Sequence, residues 1–307
     1  MQKKVNLKQF IFSTKGSSSI VVVCSAVMIL LTAALVTDIG YAAFERYKLS
    51  KGAKEVAKIG AAELIKNRET AVRMMKENAV QKVSSLSEMD IKISDNHREI
   101  SIRLGKPFEY IFLGYAGIQS KELKEGVTAR LSGISQYKGI RPFAVEKQNF
   151  RFDQDFILSN QKSERPNSIR IRELDLGNGD FESSILYGFR KNLKAGNGVY
   201  PLNEFSKEQT EQCIKQLLDK CKHKPRCTPE NYQRDCSRIM ILPVVGKLQD
   251  ENQEIMKIEG FTAFFIKNTN TTKQGLVLEG RFLKYTVDSR INDAVPDFGL
   301  MGIELIQ

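Results

Sequence analysis

The longest hydrophobic segment of the chain runs from Ile20 to Val36 and reads IVVVCSAVMILLTAALV. It contains no Pro or Gly, and Asp38 is the only charged side chain between Gly16 and Phe44. A helix needs about 20 apolar residues to cross a hydrocarbon core, where every backbone N–H and C=O must be bonded internally. The pattern therefore predicts a transmembrane helix over residues 17–44.

Small and apolar positions continue beyond this span with helical spacing. They recur first at Leu49, Ala53, Val56, Gly60 and Leu64, and again at Val72, Met75, Ala79, Val83 and Leu86. Such spacing places residues on one narrow helix face, and no Pro interrupts it. We therefore expect one uninterrupted helix that is amphipathic over residues 45–86.

One ridge of this helix carries unusually small side chains, namely Ala53, Ala57, Gly60 and Ala61. Small residues let two helix backbones approach closely, so these four positions are candidates for packing against a partner's helix. The simpler alternative is that alanine is a good helix former, although this leaves the glycine unexplained.

The periodicity changes after Glu88. Met89–Ile93 and Glu99–Leu104 alternate apolar and polar residues on either side of Ser94–Arg98, which predicts a β-hairpin. Further strand-like runs are Phe143–Val145, Phe150–Phe156, Ile169–Arg172, Ile185–Phe189, Ile239–Val245, Ile258–Ile266, Leu276–Leu278 and Phe282–Val287. Residues 87–307 are thus predicted to form a strand-rich α+β region.

Helices and turns interrupt these predicted strands. Short helices are expected at Lys121–Arg130 and Ser206–Lys220, whereas Phe108–Tyr115 fits either a strand or a helical turn. Glycine and asparagine at Gly177–Asp180 and Gly196–Gly198 indicate turns.

Charges flanking the span indicate its orientation. Four lysines and no acid lie in residues 1–16, which predicts a cytoplasmic basic leader. The other flank is also basic, with Arg46, Lys48, Lys51 and Lys54, so this contrast is weak by itself. The apolar run is longer than a signal-peptide core and no small-x-small site follows it, which favours an uncleaved signal-anchor over a cleaved leader. Clustering of four cysteines in residues 206–237, which suits disulfides outside the cytoplasm, decides the orientation. The prediction is a single-pass membrane protein with residues 87–307 outside the cell.

Four of the five cysteines fall within residues 206–237, a predicted insert. These are Cys213, Cys221, Cys227 and Cys236, and His223 lies among them. Zinc is one interpretation, but no two neighbouring cysteines have the two-to-four-residue separation usual in structural zinc sites. Two disulfides fit an extracellular location better. A helix followed by a reversal at Lys224–Arg226 favours the nested pairing, Cys213 with Cys236 and Cys221 with Cys227.

The net charge of +11 is dispersed along the chain. It fits attraction to acidic lipid heads or a polyanionic cell wall, but its dispersion favours a well-solvated surface, since it lacks the clustered footprint of nucleic-acid binding. Motifs of nucleophilic, metal-dependent or nucleotide-binding enzymes are absent from the sequence, and His97 lies in a predicted loop. We therefore predict a non-enzymatic protein without catalytic residues, metal or cofactor.

Asp38 is the candidate functional residue of the membrane boundary. An acid within a membrane helix is a functional candidate by default. Asp38 lies close to the outer end of the span, however, where its carboxylate could reach water at little cost. Both interpretations remain open from the sequence.

Several of these residues match a known family. Lys15–Ser18, the apolar run, Asp38–Tyr41 and Arg46–Leu49, followed by the Ala/Gly-rich segment Lys51–Ala62, resemble the N-terminal region of TadE/TadG-like Flp-pilus (tight-adherence) assembly proteins. This similarity covers about 50 residues. Cys221–Thr228, Asp235–Val245 and Gly260–Ile266 also resemble the ectodomain of TadG-type proteins from Gram-positive bacteria.

The resemblance implies a bitopic component of a pilus or tight-adherence apparatus, with the bilayer, other assembly proteins and pilin as partners. Two departures from the family matter. Processed pilins carry a glutamate five residues after the cleaved glycine, whereas Val21 holds that position here. A von Willebrand A motif, D-x-S-x-S, is also lacking in the sequence. An alternative function is an extracellular sensor or ligand-binding module on a signal-anchor.

Overall fold

The computed structural model describes residues 14–118, 121–161, 165–177, 181–248, 255–272 and 275–306. Most of the predicted basic leader and the end of the predicted turn at Gly177–Asp180 lie outside these residues. The helices are α1 (Thr14–Leu64), α2 (Arg68–Lys82), α3 (Phe181–Tyr187) and α4 (Lys207–Asp219), with a 3₁₀ helix at Leu113–Ala116. The strands are β1 (Glu88–Ile93), β2 (Glu99–Phe108), β3 (Lys121–Gly133), β4 (Gln136–Lys138), β5 (Phe143–Glu146), β6 (Phe156–Ser159), β7 (Ser168–Asp175), β8 (Asn192–Lys194), β9 (Gly198–Pro201), β10 (Ile239–Val245), β11 (Met256–Thr272), β12 (Gly275–Leu283), β13 (Tyr285–Val287) and β14 (Leu300–Ile306).

The predicted α+β class, with a long apolar helix before a strand-rich region, is confirmed. Within the described residues, α1 is the one helix long and apolar enough to cross a membrane. Its large side chains from Ile20 to Val36 are exposed, as a lipid-facing surface requires. The helix then continues without a break from this candidate span into the folded region.

The prediction of a single helix through residue 86 is wrong, because α1 ends at Leu64. Lys66, Asn67 and Arg68 interrupt the apolar stripe, and the Asn67 side chain caps α2 by accepting a hydrogen bond from the Thr70 N–H at 3.0 Å. Helix α2 folds back along α1, so that Met75 lies against Gly60 and Val83 against Gly52. The second half of the predicted helix is therefore the other arm of a helical hairpin.

This hairpin covers one face of a five-stranded sheet with strand order β1-β2-β3-β14-β13. The predicted β-hairpin is confirmed, with Glu88 opposite Gly105 and Ile93 opposite Ile100. The predicted helix at Lys121–Arg130 is wrong, since the segment belongs to β3 and pairs with β2 and β14. Pairing on both sides and the alternating burial of its apolar residues outweigh the helix propensity of its lysines and glutamates. We call α1 from Leu49 onward, α2 and this sheet the helix–sheet lobe.

A second sheet has the order β10-β5-β7-β6-β12-β11-β9, and an additional pairing of β10 with β11 closes six of its strands into a ring. All six strands contribute to one apolar interior, which contains Phe143, Phe156, Phe264 and Phe282, and α3 and α4 pack against it. Closure explains why β10 is buried along its whole length. We call this sheet with α3 and α4 the barrel lobe.

Local predictions in the barrel lobe had mixed outcomes. Helix α4 is confirmed, and Ser206 caps it by accepting a hydrogen bond from Gln209 N–H. The predicted strand Ile185–Phe189 is wrong, because Phe181 and Ile185 lie one helical turn apart and pack on the barrel interior as part of α3. In the predicted strand Phe150–Phe156, only Phe156 is in a strand, and the Phe150 ring instead stacks near Phe282 and Phe298.

Candidate functional site

Asp38 lies at the contact between α1 and the connection from β2 to β3. Its carboxylate accepts hydrogen bonds from three consecutive backbone N–H groups: Ile111 at 2.8 Å to Oδ1, Phe112 at 3.0 Å to Oδ2 and Leu113 at 2.6 Å to Oδ2. The side chain is 0% exposed. Of the two interpretations that the sequence left open, the one in which the Asp38 carboxylate reaches water does not match the structure, because backbone N–H groups more than 70 residues away in sequence satisfy its charge.

The next turns of α1 carry a second polar contact with the helix–sheet lobe. Glu45 is buried and receives Lys106 Nζ at 2.6 Å and Lys48 Nζ at 3.0 Å. Hydrogen bonds from Lys106 and Lys48 lower the pKa of Glu45, since they favour the charged carboxylate. Arg46 pairs with Glu125 of β3 at 2.5 Å. Together with the Asp38 contacts, these pairs join the end of the candidate span to β2 and β3, and we call the region the membrane-proximal junction.

Aromatic rings surround this junction. Tyr41 of α1 lies 5.3 Å, between ring centroids, from Phe108, which in turn meets Tyr110 edge-on at 5.2 Å. Phe44 and Tyr47 are exposed on the same part of α1. Rings of this kind are enriched where one end of a side chain is apolar and the other is wet.

The small-residue ridge is occupied by the chain itself. Ala53, Ala57 and Ala61 are fully buried, and Gly60 lies so close to Met75 that an added Cβ would overlap its Sδ. The close helix approach that the sequence indicated is present, but its partner is α2 together with the five-stranded sheet. The prediction that this ridge receives another protein's helix is corrected accordingly.

The cysteine window forms a cluster of three thiols. The Sγ atoms of Cys221, Cys227 and Cys236 all lie within 4.8 Å of one another, and Cys236 Sγ is 3.6 Å from Cys221 Sγ. Cys213 lies elsewhere, on α4 in the barrel interior. No disulfide bond is formed in the described residues. The predicted pair Cys213–Cys236 therefore does not match the geometry, whereas Cys221 lies close enough to pair with either Cys227, as predicted, or Cys236.

The two neighbouring thiols differ in their electrostatics. Burial raises the pKa of Cys236 to about 12. Burial also acts to raise the pKa of Cys221, but hydrogen bonds from the backbone of Cys227 and His223 and from the Cys236 thiol outweigh it and lower that pKa. Cys221 is thus the thiol that ionises first, and Cys236 is the donor that stabilises its thiolate. This asymmetry suits thiol–disulfide exchange, in which a thiolate is the attacking group.

The histidines occupy peripheral positions. His97 lies in the β1–β2 turn with a positive φ of 54°, and His223 Nε2 is 3.3 Å from an Asp235 oxygen. Structural zinc requires four protein ligands, whereas the candidate metal group in the described residues comprises three cysteines without His223. The cluster therefore fits thiol chemistry better than a structural metal.

A cleft of about 930 Å³ opens between the two lobes. Five basic side chains and one carboxylate line it: Lys66, Arg68, Arg98, Lys147, Lys284 and Asp297. Phe150, Phe152 and Phe298 also line it. Sequence patterns did not predict this cleft, because its basic residues come from distant segments and look dispersed along the chain.

Comparisons with known proteins add no family to this picture. The chain matches no protein-family model, and searches of curated proteins and of solved structures found no significant match.

Proposed function

We propose that this protein is a single-pass, membrane-anchored, non-catalytic structural component of a Tad-type (Flp) pilus or tight-adherence apparatus. The observation that carries the proposal is the continuity of α1 from the candidate span to Leu64, reinforced by the bonds of Asp38 and Glu45 to the helix–sheet lobe. Such a connection suits a part that must hold a rigid position in a membrane assembly. The resemblance of Lys15–Ala62 to TadE/TadG-like proteins supplies the identity of that assembly.

In this proposal the lysine-rich leader is cytoplasmic and residues 45–307 are outside the cell. The exposed surface of α1 from Ile20 to Val36 then contacts lipid or the membrane helices of other pilus-assembly proteins. The ridge from Ala53 to Ala61 is already covered by α2 and the five-stranded sheet. Helices of partner proteins would therefore pack against the membrane surface of α1 instead.

In an extracellular location the cysteine cluster can form a structural disulfide. The Cys221 thiolate attacks the disulfide of an extracytoplasmic thiol–disulfide oxidoreductase, and Cys236 then displaces that enzyme. The two thiols lose two protons and two electrons, and the oxidoreductase disulfide is reduced. Peptide mapping of the non-reduced protein should find Cys221 linked to Cys236. A Cys213–Cys236 link would contradict this pairing.

Deletion and complementation test the function. Removing the protein should abolish surface pili while leaving pilin synthesis intact, and the wild-type chain should restore them. Photo-crosslinking groups placed at the lipid-facing positions Val22 and Leu30 should capture another membrane protein of the apparatus. The same group at Tyr200, which is exposed on β9, serves as the matched control. Unchanged pili after deletion would overturn the proposal.

The basic cleft favours a second candidate function, a ligand-binding module that recognises an anionic polymer such as a phosphorylated polyol of the cell wall. Its basic and aromatic lining residues suit phosphates joined by apolar or sugar units. A polyphosphate or polyol-phosphate probe should raise the melting temperature of the full-length protein in detergent, and Arg68→Glu with Lys284→Glu should remove that shift. Lys191→Glu with Lys257→Glu, at two exposed lysines outside the cleft, is the charge-matched control. No shift in wild type would exclude this function.

A further inference from the structure

The connection from β2 to β3, described over Glu109–Ile118, is bonded to the membrane end of α1. Its three N–H groups at residues 111, 112 and 113 donate to Asp38, which lies two residues beyond the apolar run that ends at Val36. We call Glu109–Ile118 the junction loop. Because its hydrogen bonds end on α1 itself, the loop is held at the depth of Asp38 along the helix axis.

The junction loop exposes large apolar side chains to its surroundings. Ile111, Phe112 and Ile118 are each nearly half exposed, and Tyr115 is 92% exposed. Four such residues within eight positions are unusual on a water-facing loop, since contiguous exposed apolar patches generally mark a contact with another apolar phase. Aliphatic residues together with tyrosine are the composition found at the lipid–water boundary.

The position of Asp38 along α1 identifies this apolar phase. The helix rises about 1.5 Å per residue, so Ser19 and Asp38 are separated by roughly 28 Å, close to the ~30 Å of a hydrocarbon core. Asp38 therefore falls at the edge of the core, and Tyr41, about 4.5 Å further along the helix axis, falls within the headgroup layer. The loop bonded to Asp38 lies at the same edge.

The bonds themselves suit this setting. An ionised carboxylate at the edge of a hydrocarbon core is costly unless it is satisfied, and so are bare backbone N–H groups. Three hydrogen bonds between Asp38 and the junction loop satisfy both the carboxylate and the backbone N–H groups. Further along α1, the charge of Glu45 is paired with Lys106 and Lys48. The exposed side chains of the loop are then free to face the bilayer.

We propose that the junction loop is a second membrane contact, which inserts Ile111, Phe112, Tyr115 and Ile118 into the lipid headgroup–acyl boundary beside the transmembrane helix. The occupant of this apolar surface is the bilayer that α1 crosses, because the loop is continuous with that helix through Asp38. The contact adds apolar burial to an anchor that would otherwise be a single helix. It does not depend on the pilus function, since any anchored protein with this junction would have it.

The absence of tryptophan from the sequence makes the test direct. Tyr115→Trp, in the full-length protein reconstituted in phosphatidylcholine nanodiscs, places a single fluorophore on the loop. Its emission should be blue-shifted and should lose roughly half its intensity when the lipids carry bromine near the top of their acyl chains. Tyr200→Trp, at an exposed position of β9, should emit as in water and keep its intensity.

A second variant tests the role of Asp38. Adding Asp38→Asn to Tyr115→Trp leaves one amide oxygen in place of a carboxylate, so the loop should be held less well and the quenching should fall by more than half. Circular dichroism of the same sample reports whether the fold is retained. Equal, water-like emission of Tyr115→Trp and Tyr200→Trp would overturn the proposal. Blue-shifted emission of Tyr115→Trp that brominated lipid does not quench would also overturn it, in favour of a protein covering the loop.

Discussion

Two buried acids, one where α1 meets the helix–sheet lobe and one inside the barrel lobe, are held in opposite charge states. Where α1 enters the helix–sheet lobe, Glu45 is buried with Lys106 and Lys48 as partners, and these bonds lower its pKa. In the barrel lobe, Glu173 of β7 is buried with its Oε1 lacking a hydrogen-bond partner in the described structure, and burial raises its pKa to about 7. Glu45 is therefore held charged, whereas Glu173 is largely neutral at moderate acidity.

The same contrast extends to packing. The helix–sheet lobe brings α1 and α2 together over glycine and alanine, while the barrel lobe is filled by phenylalanine rings. Close backbone approach and large rings are two solutions to the same requirement for dense interiors. The two lobes should therefore be destabilised by opposite kinds of substitution. The contact between α1 and α2 has no room for an added side chain, whereas the barrel interior loses stability when a ring is removed. The following variants test this in the full-length protein in detergent, with hydrogen exchange reporting each lobe separately.

The largest effect is expected from Phe282→Ala in the barrel lobe. Phe282 is fully buried and its ring contacts Phe150, Phe156 and Phe264, so truncation should leave a cavity that costs about 4 kcal/mol. Hydrogen exchange should accelerate in β6, β11 and β12. Phe282→Leu, which keeps most of the volume, should cost less than half as much. Equal loss of protection in both lobes would show that they unfold as one unit and would break the comparison.

Gly60→Leu should be nearly as damaging, for the opposite reason. A side chain at Gly60 would overlap Met75, so α2 must shift and the helix–sheet lobe should lose about 3 kcal/mol. The readout is a lower melting temperature with faster exchange in α2. Gly40→Leu provides the matched control on the same helix, because nothing lies within 4 Å of a Cβ built there. Similar melting temperatures for the two variants would show that the helices are not closely packed at Gly60.

Glu173→Gln should stabilise the barrel lobe at pH 8 by about 3 kcal/mol, because it removes a buried carboxylate that must ionise. The folded-state pKa of about 7 exceeds the reference value of 4.5, so the native state holds the extra proton. Wild-type stability should therefore fall as pH rises from about 4.5 to 7, a dependence that the variant loses. The check is thermal unfolding across this range. At the lower end of the range the two proteins should be equally stable, and a persistent difference there would assign the effect to packing.

The smallest effect is expected from Lys106→Met, which removes one partner of Glu45 and should cost about 1 kcal/mol at pH 7, since Lys48 remains. Glu45 has a lowered pKa, so its contribution is present above the usual glutamate pKa and is lost as pH falls through the lower folded-state value. The variant should show a weaker decline on acidification, measured by exchange in β2. Lys92→Met, on the exposed side of β1, should leave that decline unchanged.

Local chemistry made part of this structure predictable. The apolar run with Asp38 as its only charge indicated the span, Ser206 marked the start of α4, and alternation indicated the β1–β2 hairpin. The break at Asn67 was missed because the apolar stripe resumes at Val72 with nearly the same spacing and no Pro or Gly marks the interruption. Lys121–Arg130 was mistaken for a helix because its strand character depends on pairing with β2 along the whole segment and with β14 at Thr128–Arg130, which its own lysines and glutamates do not reveal.

The site was predictable only as a set of residue types. The sequence identified Asp38 and the four cysteines, but not the N–H groups of Ile111–Leu113 that hold Asp38, since that contact forms between distant segments. The grouping of Cys221 with Cys236 likewise depends on where α4 and the following loop dock on the barrel. The buried state of Glu173 was missed because the predicted strand ended at Arg172, although the alternation of β7 places Glu173 on the same face as Ile169 and Ile171.

The length of α1 has a mechanical consequence. At 51 residues it is a rod of roughly 75 Å, and the folded region is built directly on its second half, without a flexible linker. A bilayer that becomes thicker or thinner changes the tilt of a transmembrane helix. In a bilayer crossed by α1, such a change of tilt would rotate the whole folded region, barrel lobe included, by the same angle.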